Sequence, residues 1–307
     1  MKNSTRKYHI PVLLKQSVAG LAIKPDGIYV DLTFGGGGHS AEILKQLGPK
    51  GKLFAFDQDL DAEANEIQDE RFKLINANFK FVQRFLRLEG VRKVDGILGD
   101  FGVSSHQFDK AERGFSTRFD AKLDMRMNQN QPLSAYEVVN TYAEEDLKQM
   151  FYQYGELRNA PRLAKTIVNQ RKEKPIETSS ELKELLWPLL FKGKENKVLA
   201  QIFQAIRIEV NDEIEVLKEL LKQTEDLLKP GGRLSLISYH SLEDRLVKRF
   251  IRNGMFEGEP KKDLYGRFYV PFKKVGKLQT ASKEEIKENP RARSAKLRIG
   301  ERLANEE

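Results

Sequence analysis

Four consecutive glycines, Gly35-Gly36-Gly37-Gly38, separate a short apolar stretch ending at Asp31 from an amphipathic one that starts near His39. Upstream, Gly27-Ile28-Tyr29-Val30 has the character of a buried strand, and downstream Ala41, Ile43, Leu44 and Leu47 share one helical face. The glycines are the strand-to-helix turn. Glycine admits φ > 0 and lets a ligand reach main-chain N–H groups with no Cβ in the way, and the start of a helix favours an anionic group. One or two glycines there are often a plain tight turn; four in a row mark a ligand site.

The next strand, Lys52-Leu53-Phe54-Ala55-Phe56, runs into Asp57-Gln58-Asp59, about 20 residues beyond the glycines, where a carboxylate meets ribose hydroxyls in doubly wound folds. A dinucleotide and S-adenosylmethionine both satisfy that pattern. The dinucleotide fingerprint Gly-x-Gly-x-x-Gly, started at Gly35, places Ser40 at its third glycine. An acidic residue just before the loop, as at Asp31, is typical of class I methyltransferases. Both features favour S-adenosylmethionine.

Strand and helix patterns keep alternating: Phe72-Lys73-Leu74-Ile75, a helix from about Lys80 to Glu89, then Val94 to Asp100. This is βαβαβ organisation. Phe79 follows the third strand, where it can stack on an adenine ring or fill the core. Asp100 ends the fourth strand, and ligands bind outside the carboxyl ends of strands, so its carboxylate is expected to face the cleft.

Beyond Asp100 a small-residue loop leads into segments with helix signals only. Ser134-x-x-Glu137, Thr141-x-x-Glu144 and Thr178-x-x-Glu181 read as capping boxes, and Asn159-Ala160-Pro161 as a further helix start. Leu147, Met150, Phe151 and Tyr154 form one apolar face, and Leu182, Leu185, Leu186 and Leu189 another. An inserted helical bundle over 108–205 follows, with 1–107 and 206–307 forming the sheet domain. Arg158, Arg162, Lys165, Arg171, Lys172, Lys192, Lys194 and Lys197 make it basic; such residues either cover a solvated face or touch phosphates. The chain as a whole has 53 Lys and Arg against 45 Asp and Glu, a net +8, which suits a polyanionic partner.

The sheet resumes after a helix over about 213–228. Lys229-Pro230-Gly231-Gly232 reads as a tight turn and Leu234 to Tyr239 as a fifth strand, which brings Tyr239 and His240 to the cleft beside Asp100. Lys277 to Thr280 and Ala295 to Arg302 are the last strands, around a helix capped by Ser282 and Glu285. There is no cysteine, which excludes disulfides and thiolate metal sites and permits a reducing compartment. The four histidines show no paired ligand spacing, so no metal is expected. The apolar run Ile10 to Leu14 is too short for a secretory leader, and no run is long enough to span a membrane.

Seven collinear motifs now carry a resemblance from His9 to Arg302. They are Thr33 to Ser40, Gly102-Val103-Ser104-Ser105, Glu112 to Ser116, Leu123 to Met127, Phe203 to Ile208, His240 to Arg245 and Asn289 to Ser294. Together they resemble the bacterial 16S ribosomal RNA cytosine-N4 methyltransferase family. The resemblance implies a doubly wound, Rossmann-like α/β methyltransferase sheet with an inserted all-helical domain, S-adenosylmethionine as donor and a decoding-region cytidine as acceptor. It implies cofactor contact at Gly37, Gly38, His39, Asp57, Phe79, Asp100 and Gln107. The partner would be 16S rRNA in the small subunit or its late precursor, in the cytoplasm; a homodimer is left open. Gly99 and Phe101 stand where the family usually has leucine, and His106 where it has proline, while Asp100 is retained.

The cytosine amine has its lone pair delocalised into the ring, so methyl transfer depends on acceptors that orient its N–H groups. Asp100-Phe101-Gly102 lacks the prolines of the DNA amino-methyltransferase motif, yet a carboxylate can accept the N–H and stabilise developing positive charge. Asp100 is therefore the expected catalytic residue. A nicotinamide oxidoreductase and a non-catalytic nucleotide-sensing assembly factor remain as alternatives at this stage.

Overall fold

The computed structural model describes residues 11–304 except 259, 261, 263–265 and 267. His9, where the resemblance begins, lies outside the described residues. The chain divides into two compact units, Met1–Gly102 with Glu215–Glu307, and Val103–Ile214.

The first unit is built on seven strands: β1 (Ile28–Asp31), β2 (Lys52–Asp57), β3 (Phe72–Asn76), β4 (Val94–Asp100), β5 (Leu228–Ser238), β6 (Phe272–Thr280) and β7 (Lys296–Arg302). Their order is β3-β2-β1-β4-β5-β7-β6. The first five pair in parallel, and β7 inserts antiparallel between β5 and β6. This is the doubly wound α/β sheet expected from the alternation. Order reverses at β1 and β4, the switch point outside which ligands bind in such sheets.

Every residue of β4 before Asp100 is buried, as a central parallel strand covered on both faces requires. On one face Val30, Phe56, Ile97 and Leu234 pack with Leu220, Leu221 and Phe250. On the other, Tyr29, Leu53 and Leu98 pack with Val18, Ile43 and Leu44. At the amino ends of the strands Asp95 joins three elements: it accepts from the Ile28 N–H at 3.0 Å and from Lys229 Nζ at 2.7 Å.

Two strands start earlier than their sequences suggest. Leu228 already pairs with Val94, and Arg233 pairs with Gly96, so Pro230-Gly231-Gly232 is taken up as an irregularity within β5 and not as a turn before it. β6 begins at Phe272, with a register shift between Val275 and Gln279.

The second unit is helical: Ala135–Thr141, Glu144–Gln153, Ala160–Glu173, Ser179–Leu186 and Glu195–Asn211 surround a core that includes Val139, Leu147, Phe151, Leu163, Leu182, Ile202 and Phe203. Ser134 with Glu137 and Thr178 with Glu181 form the expected capping boxes. Thr141 with Glu144 does not. Thr141 Oγ1 donates to the Glu137 carbonyl one turn back, at 2.7 Å, and the following helix starts from Ala143 without a side-chain cap. Asn159 sits at a helix start, but its amide donates to the Leu189 carbonyl at 3.3 Å instead of capping. Asn211 ends the longest helix of this unit and ties it to an irregular stretch: its Oδ1 accepts from the Met127 N–H at 2.7 Å and its Nδ2 donates to the Met125 carbonyl at 2.8 Å.

Among the basic residues, Arg158, Arg162, Lys165, Lys172, Lys192, Lys194 and Lys197 are exposed. Arg171 is different. Its guanidinium donates to the Val139 carbonyl at 2.7 Å and to the Tyr142 carbonyl, which satisfies the C-terminal end of Ala135–Thr141. Replacing Arg171 by Met is expected to cost roughly 1.5 to 3 kcal/mol, the range for hydrogen bonds from a charged donor, as a lower urea midpoint with an unchanged slope.

Candidate active site

β1 delivers Asp31 to the carboxyl edge of the sheet, where it is fully buried. Its carboxylate accepts from Ser40 Oγ at 2.7 Å and from the Thr33 N–H at 3.1 Å. The loop between them is therefore anchored at both ends. Gly37 has φ 75° and caps the helix Gly38–Leu44, a conformation that favours glycine. A Cβ on Gly38 would lie 2.2 Å from Pro11 Cγ, so the N-terminal segment packs directly on the helix start. Gly36 is exposed, and a Cβ there would meet nothing within 4 Å; its face of the loop is open to a ligand.

Asp57, at the end of β2, grips the same loop. Its Oδ2 accepts from the Gly35 N–H at 2.8 Å and its Oδ1 from the Asp59 N–H at 2.9 Å. Each oxygen keeps a further lone pair, which suits ribose hydroxyls. Just past β2 and β3, Asn78 Nδ2 donates to Gln58 Oε1 at 2.8 Å. Phe79 follows, half-buried, with its ring 5.8 Å from that of Phe101. This edge thus offers a carboxylate, an amide pair and an aromatic face.

His39 is buried, and its Nε2 lies 3.3 Å from the Val12 carbonyl. A carbonyl only accepts, so Nε2 carries the proton and Nδ1 the lone pair. Burial lowers its pKa, against the opposing pull of Asp100. The ring is therefore neutral around pH 7.

Asp100 stands at the centre of this edge. Its backbone N–H donates to Thr33 Oγ1 at 2.7 Å, and its Oδ1 accepts from the Tyr239 hydroxyl at 2.7 Å. Register explains the meeting: Asp31 pairs with Leu98 and Asp100 with Ile237, which puts Thr33 level with Asp100 and Tyr239 one pleat beyond. Thr33 and the Tyr239 hydroxyl were not singled out as partners of Asp100 from sequence; residue offsets past the strand ends are the signal that would have found them. His240, by contrast, caps Ser241–Asn253 in a capping box with Glu243.

The departures at Gly99 and Phe101 explain each other. A Cβ on Gly99 would lie 2.9 Å from the Phe101 ring and 3.2 Å from Leu236. Phe101 is buried, and its N–H donates to the Ile237 carbonyl at 2.9 Å. The missing side chain at one position makes room for the ring at the other. Gln107 belongs to the second unit, where its Oε1 accepts from the Ser104 N–H at 3.1 Å and closes the capping box of a short helix, Ser105–Asp109. The structure thus brings Gly37, Gly38, His39, Asp57, Phe79 and Asp100 to one edge of the first unit.

Three carboxyls on this edge have pKa values raised to about 6. Burial is the main cause in each. It is partly offset at Asp31 by Ser40 and Thr33, at Asp57 by the Asp59 and Gly35 N–H groups, and at Asp100 by His39 and Tyr239. A folded-state pKa above the unfolded value means that the native state holds the proton longer, so stability falls as pH rises from about 4 through about 6. Asn at position 100 removes one such group while retaining an acceptor for Tyr239. Between pH 5 and pH 7 the wild type should lose about 1 kcal/mol more stability than Asp100→Asn, measured by urea unfolding at both pH values; parallel pH dependences would refute the assignment.

Residues 6–303 match the family model described as the MraW methylase family. A protein of Christiangramia forsetii named ribosomal RNA small subunit methyltransferase H is 72% identical over 297 residues, covering 97% of this chain and 98% of its own. The protein of that name from Flavobacterium johnsoniae is 67% identical over 300 residues, with coverages of 98% and 99%. That from Bacteroides fragilis NCTC 9343 is 53% identical over 303 residues, with coverages of 98% and 100%. With nearly its whole length matched, this chain belongs to the MraW methylase family.

Proposed function

We propose that this chain methylates the exocyclic N4 of a cytidine in the decoding region of 16S small-subunit ribosomal RNA, with S-adenosylmethionine as donor. The observation that carries this reading is the placing of Asp100 beside the glycine loop, at the carboxyl end of β4, with one carboxylate oxygen already held by Tyr239. The name of the relatives, ribosomal RNA small subunit methyltransferase H, supports the small subunit as the target particle. Bound S-adenosylmethionine supplies an electrophilic methyl on a sulfonium.

Gly37, Gly38 and His39 shape the floor of the cofactor site, Asp57 accepts the ribose hydroxyls and Phe79 lies along the adenine. Asp100 would accept one N–H of the cytosine amine, which turns the lone pair towards the methyl and stabilises positive charge as the N–C bond forms and the C–S bond breaks; S-adenosylhomocysteine leaves, and the methylated amine gives up one N–H proton to bulk water. Gln107 is carried over as a cofactor contact from the family resemblance alone, and the inserted helical domain has a separate role. That domain, 108–205, is the substrate-recognition part, and its exposed Arg162 and Lys165 meet phosphates of a folded RNA. The target base is turned out of its stack to reach the cleft. A folded subunit presents it exposed and adds remote contacts that orient it. The reaction belongs to the cytoplasm, where subunits are assembled.

Labelled methyl transfer to small subunits tests this directly. Subunits or late precursors should be methylated and a short oligonucleotide carrying the same cytidine only poorly; equal efficiency would overturn the large-partner reading. Arg162→Glu with Lys165→Glu should raise KM for subunits and flatten its salt dependence while cofactor binding is retained; Arg171 is left intact because it serves the fold. Asp57→Ala should weaken S-adenosylmethionine binding by about 1.5 to 3 kcal/mol, read by calorimetry. For wild type, kcat/KM for S-adenosylmethionine should fall as pH drops through about 6, where Asp100 of the free enzyme takes up its proton and loses the negative charge that stabilises the transition state; the acid limb of kcat should lie lower, because the bound sulfonium favours the carboxylate.

A further inference from the structure

We infer that Tyr239 is a positioning residue for methyl transfer, its hydroxyl holding one carboxylate oxygen of Asp100 so that the other remains to accept the substrate N–H. The inference rests on the role proposed for Asp100 and adds a residue to it.

Three observations support it. The Tyr239 hydroxyl donates to Asp100 Oδ1 at 2.7 Å. The backbone of both residues is held in place: the Tyr239 N–H donates to Glu243 Oε2 at 2.9 Å, and the Asp100 N–H donates to Thr33 Oγ1 at 2.7 Å. The Tyr239 ring also packs against Gly102, where a Cβ would lie 3.2 Å from it. With its main chain and one oxygen held, the Asp100 carboxylate loses its rotation about the terminal bond. Its second oxygen then has a set direction, which is what an acceptor for a weakly nucleophilic amine requires.

A phenylalanine would satisfy the packing equally well, since the ring lies against an apolar cluster that includes Val12, Ile237 and Leu297. Packing therefore does not call for the hydroxyl; Asp100 does. The charges around the pair also bear on titration. His39 favours the Asp100 carboxylate, whereas Asp31 and Glu243 oppose it, and Asp100, Glu243 and Glu285 all act on Tyr239. Burial and these acids push the phenol well above its ordinary pKa, so Tyr239 keeps its proton and serves as a donor. Without that donor, Asp100 should take up a proton at higher pH.

The test is Tyr239→Phe beside Asp100→Asn, with methyl transfer to small subunits followed across pH, S-adenosylmethionine affinity by calorimetry and folding by thermal melting. Tyr239→Phe should lower kcat by about 10- to 100-fold, leave cofactor affinity within about twofold, and move the acid limb of the pH profile upward. Unchanged kcat and limb, with or without a lower Tm, would overturn the inference. Should Tyr239→Phe not fold, 3-fluorotyrosine at 239, a stronger donor of the same shape, should move the limb downward; an unmoved limb would overturn it. If Asp100→Asn keeps full turnover, the reading of Asp100 fails, and the inference fails with it. If Asp100→Asn is inactive while Tyr239→Phe behaves as wild type, only Tyr239 is misassigned.

Discussion

The buried carboxylate of Asp31 is the interaction on which the site depends. A charge this deep is sustained only by donors aimed at it, and its donors come from the two ends of the glycine loop, Thr33 and Ser40. Thr33 then accepts the Asp100 N–H. One residue thus sets the loop, the start of the following helix and the end of the neighbouring strand against one another. Asp57 holds the loop from the other side through Gly35. The glycines provide an approachable backbone, and the acids keep it in one shape.

The two ends of the sheet carry acids of opposite character. At the amino ends burial alone would raise the pKa of Asp95, yet Lys229, the Ile28 N–H and Lys24 hold it below the ordinary carboxylate range. At the carboxyl ends Asp31, Asp57 and Asp100 have hydroxyl and amide donors but, among the described residues, no ion pair, and all three are raised. The first arrangement joins strands. The second gathers three acids at one edge, where a positive charge brought nearby would favour their ionised forms, at some expense in stability without it.

Much of this was legible in the chain. Alternating apolar runs marked β1 to β4, and Val94–Asp100 has the same bounds in both readings. The capping boxes at Ser134 and Thr178 could be read because a box is a local contract between residues three apart. What could not be read depended on distant partners. Thr141 satisfies its own helix and not the next. Arg171, one cation among many by composition, is committed to two carbonyls about 30 residues away. Pro230-Gly231-Gly232 has the chemistry of a turn, but pairing between Leu228 and Val94 draws it into β5. At the site, the acids could be named from strand ends, whereas the hydroxyls that serve them required the register between strands.

Gly99 and Phe101 sit on either side of Asp100, and the ring of one fills the space the other leaves vacant. The tolerance of one position to substitution therefore depends on what stands at the other. Leucine at 99 alone would press on the aromatic ring, and leucine at 101 alone would leave a gap beside Leu236 and Phe79. A route between this pair and two leucines therefore passes through an intermediate that disturbs the strand end carrying Asp100.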